Sequence, residues 1–150
     1  MPPGPFSTQP PSPARRILVG YDASPASARA LQLALGLAAQ TQGAVWVVHA
    51  SDPPRVVAEP RPEEEQGMEA LAVEQTLREA RTLAETHGVH LTIQIREGVA
   101  GPLLLQAAKE VDADLIVLGT RGLRGAARLV LGSVSASMVS ESGRPVLVVP

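Results

Sequence analysis

The chain has 150 residues, a formal charge of −2 and no cysteine. That length buries a real core without staples, and the missing cysteine excludes disulfides, thiolate metal sites and a thiol nucleophile. The basic residues, all Arg except Lys109, are scattered rather than gathered in a stripe, so nucleic-acid binding is not expected.

Residues 1–14, MPPGPFSTQPPSPA, hold six prolines and no apolar run. They are expected to form a disordered tail rather than a signal peptide, with one folded domain over residues 15–150. The most apolar stretch, ALQLALGLAA, is too short to span a bilayer and is interrupted by Gln32. A soluble, cytoplasmic protein without membrane contact is the expectation.

From Arg15 the pattern becomes periodic. Ile17-Leu18-Val19 reads as a strand buried on both faces, ended by Gly20-Tyr21-Asp22. Ser24 stands at an N-cap position with Pro25 first in the helix, which carries Ala28, Leu31, Leu35 and Ala38 on one face and stops near Gly43. Ala44 to Ala50 reads as a second buried strand. Residues 51–66 read as a loop leading into a helix, with Glu63 to Glu65 at its dipole-favoured start. That helix shows Val73, Leu77, Ala80 and Ala84 on one side, allows Glu74–Arg78 and Arg81–Glu85 pairs on the other, and ends at Gly88.

Val89, Leu91, Ile93 and Ile95 alternate with polar residues, as in a half-buried strand near a sheet edge. Pro102 is expected to start a helix carrying Leu104, Leu105 and Ala108. Leu115 to Leu118 is a fourth strand, residues 133–142 a short helix, and Pro145 to Val149 a fifth strand. Strand and helix thus alternate five times, which predicts an α/β fold with a parallel sheet covered on both faces. In such sheets ligands lie beyond the carboxyl ends of the strands, which directs attention to Asp22, Ala50 and the loop after Gly119.

The segment GTRGLRGAARLVLGS holds, among its glycines, Gly119, Gly122 and Gly132, the last followed by Ser133. Gly119 and Gly122 can take positive φ and leave the backbone bare, so an anion can approach the amides closely. Gly132 and Ser133 open a helix whose first amides have no intrahelical partner, a seat for phosphate. Taken alone, such a loop reads first as a plain strand-to-helix connection. Its place after a buried strand and its spacing shift that reading.

The spacing G-x2-G-x9-G-[S/T] resembles the nucleotide motif of the ATP-binding universal stress proteins. The resemblance extends over about residues 14–150, through RRILVGYDASPAS, VVHA, DADLIVLG, GSVSASMV and RPVLVV. It implies a single-domain, doubly wound, five-stranded parallel sheet of order 3-2-1-4-5, adenine nucleotide alpha-hydrolase-like. On that order the first and fourth strands flank the switch point. By resemblance, Asp22 contacts the adenosine part of the ligand beside Tyr21, the Ala50 backbone meets the adenine ring, and Leu118 faces base or ribose. Gly119, Gly122, Gly132, Ser133 and Val134 match the ribose- and phosphate-contacting positions.

The chain departs from the family at Ala23, where Gly is frequent, and at Thr120-Arg121, between the first two motif glycines. Arg121, Arg124 and Arg128 can add charge-assisted phosphate contacts or can be exposed loop charges, and Arg128 fits the second description better. Of these, Arg121 is counted among the binding residues.

The three histidines share no ligand spacing with a carboxylate, so no metal site of the protein's own is expected, and His49 reads as a strand-end residue at the pocket rim. Leu131-Gly132-Ser133 lacks the lysine of a Walker A loop, and no Ser–His–Asp elbow or other catalytic set appears. The expectation is an ATP-binding regulatory protein with slow or no hydrolysis, with Mg or Mn as an optional bridge held mainly by nucleotide and water. A weak ATPase and a nucleotide-free interaction protein are the alternatives. PVLVVP is an uncharged edge strand, and an unpaired edge of that kind aggregates. The family pairs this strand across a two-fold axis, so a homodimer through Val146 to Val149 is expected.

Overall fold

The computed structural model describes residues 4, 13–51, 63–120 and 132–150. Most of the expected tail (1–3 and 5–12), residues 52–62 and the loop interior 121–131 lie outside the described residues.

Nine elements alternate along the chain: β1 (Arg16–Tyr21), α1 (Pro25–Thr41), β2 (Ala44–Ser51), α2 (Glu63–His87), β3 (His90–Glu97), α3 (Ala100–Glu110), β4 (Leu115–Gly119), α4 (Ser133–Glu141) and β5 (Val146–Val149). The strands form one parallel sheet of order β3-β2-β1-β4-β5, the doubly wound arrangement expected. β1 sits at the centre, paired with β2 and with β4.

The period of two along the central strands divides the core between the two faces. Ile17, Val19 and Tyr21 of β1 point with Val45, Val47 and Val117 toward α1 and α2. Leu18, Val48, Ile116 and Leu118 point the other way, toward Leu104 and Ala108 of α3 and Met138 of α4. An uninterrupted apolar run is therefore what a strand covered on both faces requires.

Helix α1 begins as its residues dictate: the Ser24 hydroxyl accepts from the Ser27 amide, and Pro25 takes the first helical position. Its buried stripe is Ala26, Ala30, Leu31, Ala34, Leu35 and Ala38, with Ala28 only half-buried at its margin. Alanines four apart let the helix axis lie close to the sheet. Helix α3 starts at Ala100, two residues before the expected Pro102. A proline is tolerated in the first turn because amides there have no intrahelical acceptor to lose.

On α2, Arg78 and Glu74 pair at 2.9 Å. Strand β3 is a half-exposed edge, and Arg96 ties it to α3 through Glu110. The Arg96 hydrogen bond holds the Glu110 carboxyl below its ordinary pKa. At the amino pole of the sheet, Asp114 accepts from the Arg15 and Arg16 amides, while Asp112 faces the guanidinium groups of Arg16 and Arg144. Among the described residues no helix is long and apolar enough to cross a membrane.

Candidate functional site

The site is assembled from the loops that leave the carboxyl ends of the strands. The turn from β1 to α1 is knit by its own side chains. The Ser24 amide donates to Asp22 Oδ1 at 3.0 Å, the Asp22 amide to Ser27 Oγ at 3.3 Å, and Ser27 Oγ to the Ser24 carbonyl at 2.9 Å. Ala23 is held at φ 66° inside this network. That is the left-handed region, costly for a residue with a Cβ and freely open to glycine. The amino end of α1 is thus closed by Ser24, and Asp22 is fixed in an exposed position beside it.

Helix α4 presents the opposite arrangement. Its N-cap is Gly132 (φ −60°, ψ 160°), which has no side chain to offer, and no side-chain cap bond forms. The first intrahelical bond runs from the Ala136 amide to the Gly132 carbonyl. The amides of Ser133, Val134 and Ser135 precede it, and the positive end of the helix dipole adds to them. Such a terminus is suited to an anion.

Gly119 brings the two loops together, though not through the positive φ open to a glycine. Its φ is not positive. A Cβ at this position would stand 2.5 Å from the carbonyl carbon of Ala26 and 2.5 Å from the Ser27 nitrogen, both backbone atoms of the first turn of α1. The missing side chain lets the end of β4 press directly against the start of α1, so the chain leaves β4 beside the Asp22 turn.

These loops border one open cleft of about 1520 Å³. Every expected site residue that is described lines it: Tyr21 and Asp22 after β1, Ala50 at the end of β2, Leu118 and Gly119 at the end of β4, and Gly132, Ser133 and Val134 at the start of α4. Leu118 is 3% exposed and lies over Gly20, so it forms floor rather than wall. Arg121 and Gly122 lie outside the described residues, as do Arg124 and Arg128.

The cleft has further lining residues. Ser27 faces it from the capping network, and Gly98 to Gly101 face it from the β3–α3 junction. That junction also follows the carboxyl end of a strand, so the crevice rule applied to β3 finds it. His49 lies on the cleft as a strand-end residue, with Nδ1 2.7 Å from the Tyr21 carbonyl oxygen. Among the described residues no three His, Asp or Glu side chains gather in a metal-binding group.

The universal stress protein family matches residues 13–150. The chain belongs to that family. It is 39% identical over 137 residues to a universal stress protein of Thermus aquaticus, covering 90% of this chain and 98% of the relative. Among solved structures, the universal stress protein UspA of Lactobacillus plantarum superposes with a TM-score of 0.73 at 26% identity, covering 91% of this chain and 98% of the other. A universal stress protein solved in complex with cAMP superposes with a TM-score of 0.67 at 29% identity, covering 93% and 98%. The fold is that of the adenine nucleotide alpha-hydrolase-like proteins, and the expected strand order holds throughout.

Proposed function

We propose that this universal stress protein binds an adenine nucleotide, ATP foremost, and uses it as a regulatory ligand in stress response rather than as a rapidly consumed substrate. One observation carries the reading: the uncapped amino end of α4 opens into the same cleft as Asp22, and the contact of Gly119 with α1 holds the two together. Phosphates fit the α4 amides, because that terminus offers donors and positive potential. The adenosine part fits the Tyr21, Asp22 and Ala50 side, which offers a carboxylate acceptor beside apolar wall. The cAMP complex of a relative 29% identical to this chain supports the same ligand class. Arg121 and Gly122 complete the phosphate seat in this reading.

Slow or no hydrolysis follows from the residue types. The sequence around Gly132-Ser133 has no lysine to neutralise a transferring phosphoryl group, and no general base is paired with the seat. Mg or Mn bridges the phosphates in this reading, held mainly by nucleotide and water. The protein acts in the cytoplasm as a homodimer: β5 is a sheet edge with β4 as its neighbour, and its Leu147 is 36% exposed.

The test is isothermal calorimetry with ATP, ADP and AMP, together with identification of nucleotide released from heat-denatured protein. Micromolar ATP binding or a co-purifying adenine nucleotide is expected. Neither being found would overturn the reading. Single-turnover hydrolysis that keeps pace with nucleotide release would replace it by an ATPase.

A further inference from the structure

Helix α3 also opens uncapped into the cleft. It starts at Ala100 after Val99, whose side chain can accept nothing, and no side-chain cap bond forms. Its first intrahelical bond runs from the Leu103 amide to the Val99 carbonyl. Pro102 has no amide, so Ala100 and Gly101 supply the two free donors of this terminus. Both residues line the cleft. Among the described residues a Cβ on Gly101 would meet only Ser137 Oγ, at 3.8 Å, so bare backbone faces open space there.

A side chain of α4 singles this terminus out. Among the described residues three polar side chains are buried: Ser24, Ser27 and Ser135. Ser24 and Ser27 satisfy each other in the cap of α1. Ser135 is 3% exposed, and its hydroxyl has no hydrogen-bond partner among the described residues. Yet no side-chain oxygen among them is both sealed from solvent and unbonded. The Ser135 hydroxyl therefore reaches solvent, through the cleft that the residue lines.

The packing of the two helices sets that hydroxyl over the α3 terminus. Gly101 stands against Ser137, so the second residue of α3 is level with the fifth of α4. Ser135 is two residues nearer the cleft, a rise of about 3 Å. It lies on the inner side of α4 with Met138, which shares a core cluster with Leu104, one turn below Gly101. A Cα–Cβ bond leans toward the amino end of its helix, here toward the cleft. Helix α4 thus overhangs α3, with its own amides at the outer step and Ser135 above the inner one.

We infer that the Ala100 and Gly101 amides and the Ser135 hydroxyl form a second anion seat, which holds a phosphate group alongside those at α4. The two amides and the positive end of the α3 dipole meet the charge, and the hydroxyl donates from above. The inference goes beyond the nucleotide reading, because none of these three donors is assigned to that ligand. Free inorganic phosphate and a second phosphate on a nucleotide's ribose share the chemistry the seat recognises.

The test is equilibrium dialysis with labelled inorganic phosphate, with and without saturating ATP, on the parent, Ser135→Ala and Val99→Asp. Val99 is 72% exposed with φ −79° and ψ 129°, so Asp at this position caps the free amides without a steric clash. In the parent one phosphate per chain should stay bound while ATP saturates the α4 seat. Ser135→Ala should weaken that phosphate about tenfold. Val99→Asp should abolish its binding while raising the urea midpoint, a gain in stability that separates lost binding from lost fold. ATP affinity should stay unchanged in both variants.

Adenosine 3′,5′-bisphosphate compared with AMP identifies the source. A preference of about tenfold for the bisphosphate that both variants erase assigns the seat to a nucleotide's second phosphate. Equal affinities assign it to free phosphate. Complete displacement of phosphate by ATP would overturn the inference and leave a single seat at α4. So would phosphate binding that neither variant weakens. If ATP does not bind and both variants still lose phosphate, the nucleotide reading falls and the second seat stands.

Discussion

Replacing Gly119 by alanine adds one methyl group at a place where two backbones already touch. The new Cβ would lie 2.5 Å from the Ala26 carbonyl carbon and the Ser27 nitrogen, and 2.9 Å from Ala26 Cβ. Ordinary carbon contacts are about 3.5–4.0 Å, so an overlap of roughly 1 Å must be relieved. Neither backbone atom belongs to a side chain that can swing away, and the turn they belong to is fastened by Ser24 and Ser27. Relief requires the end of β4 to retreat from α1, at a cost of about 1–3 kcal/mol by analogy with overpacked cores.

Gly36 supplies the internal control. It lies within α1, and a Cβ there meets nothing within 4 Å. Gly36→Ala should therefore gain roughly 0.5–1 kcal/mol from the lower conformational freedom of the unfolded chain. Urea unfolding of the two variants beside the parent reads both effects, and each kcal/mol corresponds to about 2–4 °C in Tm for a chain of this size. ATP affinity should fall in Gly119→Ala and stay unchanged in Gly36→Ala. If Gly119→Ala unfolds at the midpoint of the parent and binds ATP equally well, the contact between β4 and α1 does not hold the site together.

Three other outcomes are expected. Gly132→Val should abolish ATP binding, by placing a branched side chain at the mouth of the α4 seat, while shifting the urea midpoint little, since φ −60° and ψ 160° suit any residue; unchanged affinity would mean that the loop is only a connection. The Glu110 carboxyl, held by Arg96 below its usual pKa of 4.5, stabilises the fold above that pH and loses its contribution as acid protonates the folded state. Parent and Glu110→Gln should accordingly differ in urea midpoint near neutrality and converge as the pH falls through the lowered pKa of the folded state, and a difference that persists in strong acid would contradict the assignment. Leu147→Lys places a charge on the β5 edge and should shift the proposed homodimer to monomer in light scattering; a dimer mass for both parent and variant would place the interface elsewhere.

The architecture was legible because the signals for it are local. Runs such as Ile17-Leu18-Val19 state that both faces are covered, and Ser24-Pro25 marks a helix start by chemistry confined to neighbouring residues. The site was legible to the extent that position at a strand end and motif spacing go, and the described residues of the motif share one cleft. What the residues of Gly119 do was not legible. Its loop position suggested conformational freedom, whereas the demand comes from Ala26 and Ser27, far away in the chain and adjacent only after folding. The same holds for His49: nothing near it in sequence announces that Tyr21 will orient its ring. The early start of α3 was missed for a local reason, because proline marks a helix beginning only to within its first turn.

The central place of β1 also bears on the order in which the molecule forms. Its pairing with β2 spans a short stretch of chain, whereas the pairing with β4 joins residues about a hundred apart. Closing the longer loop costs more chain entropy and is the slower event. The β1-α1-β2-α2-β3 half can therefore assemble while β4 is still unplaced, but Asp22 and the α4 terminus meet only once β4 has docked. A ligand that needs both has nothing to bind in the half-assembled chain. It acts as a latch on the last step of assembly, slowing escape from the finished fold without hastening its beginning.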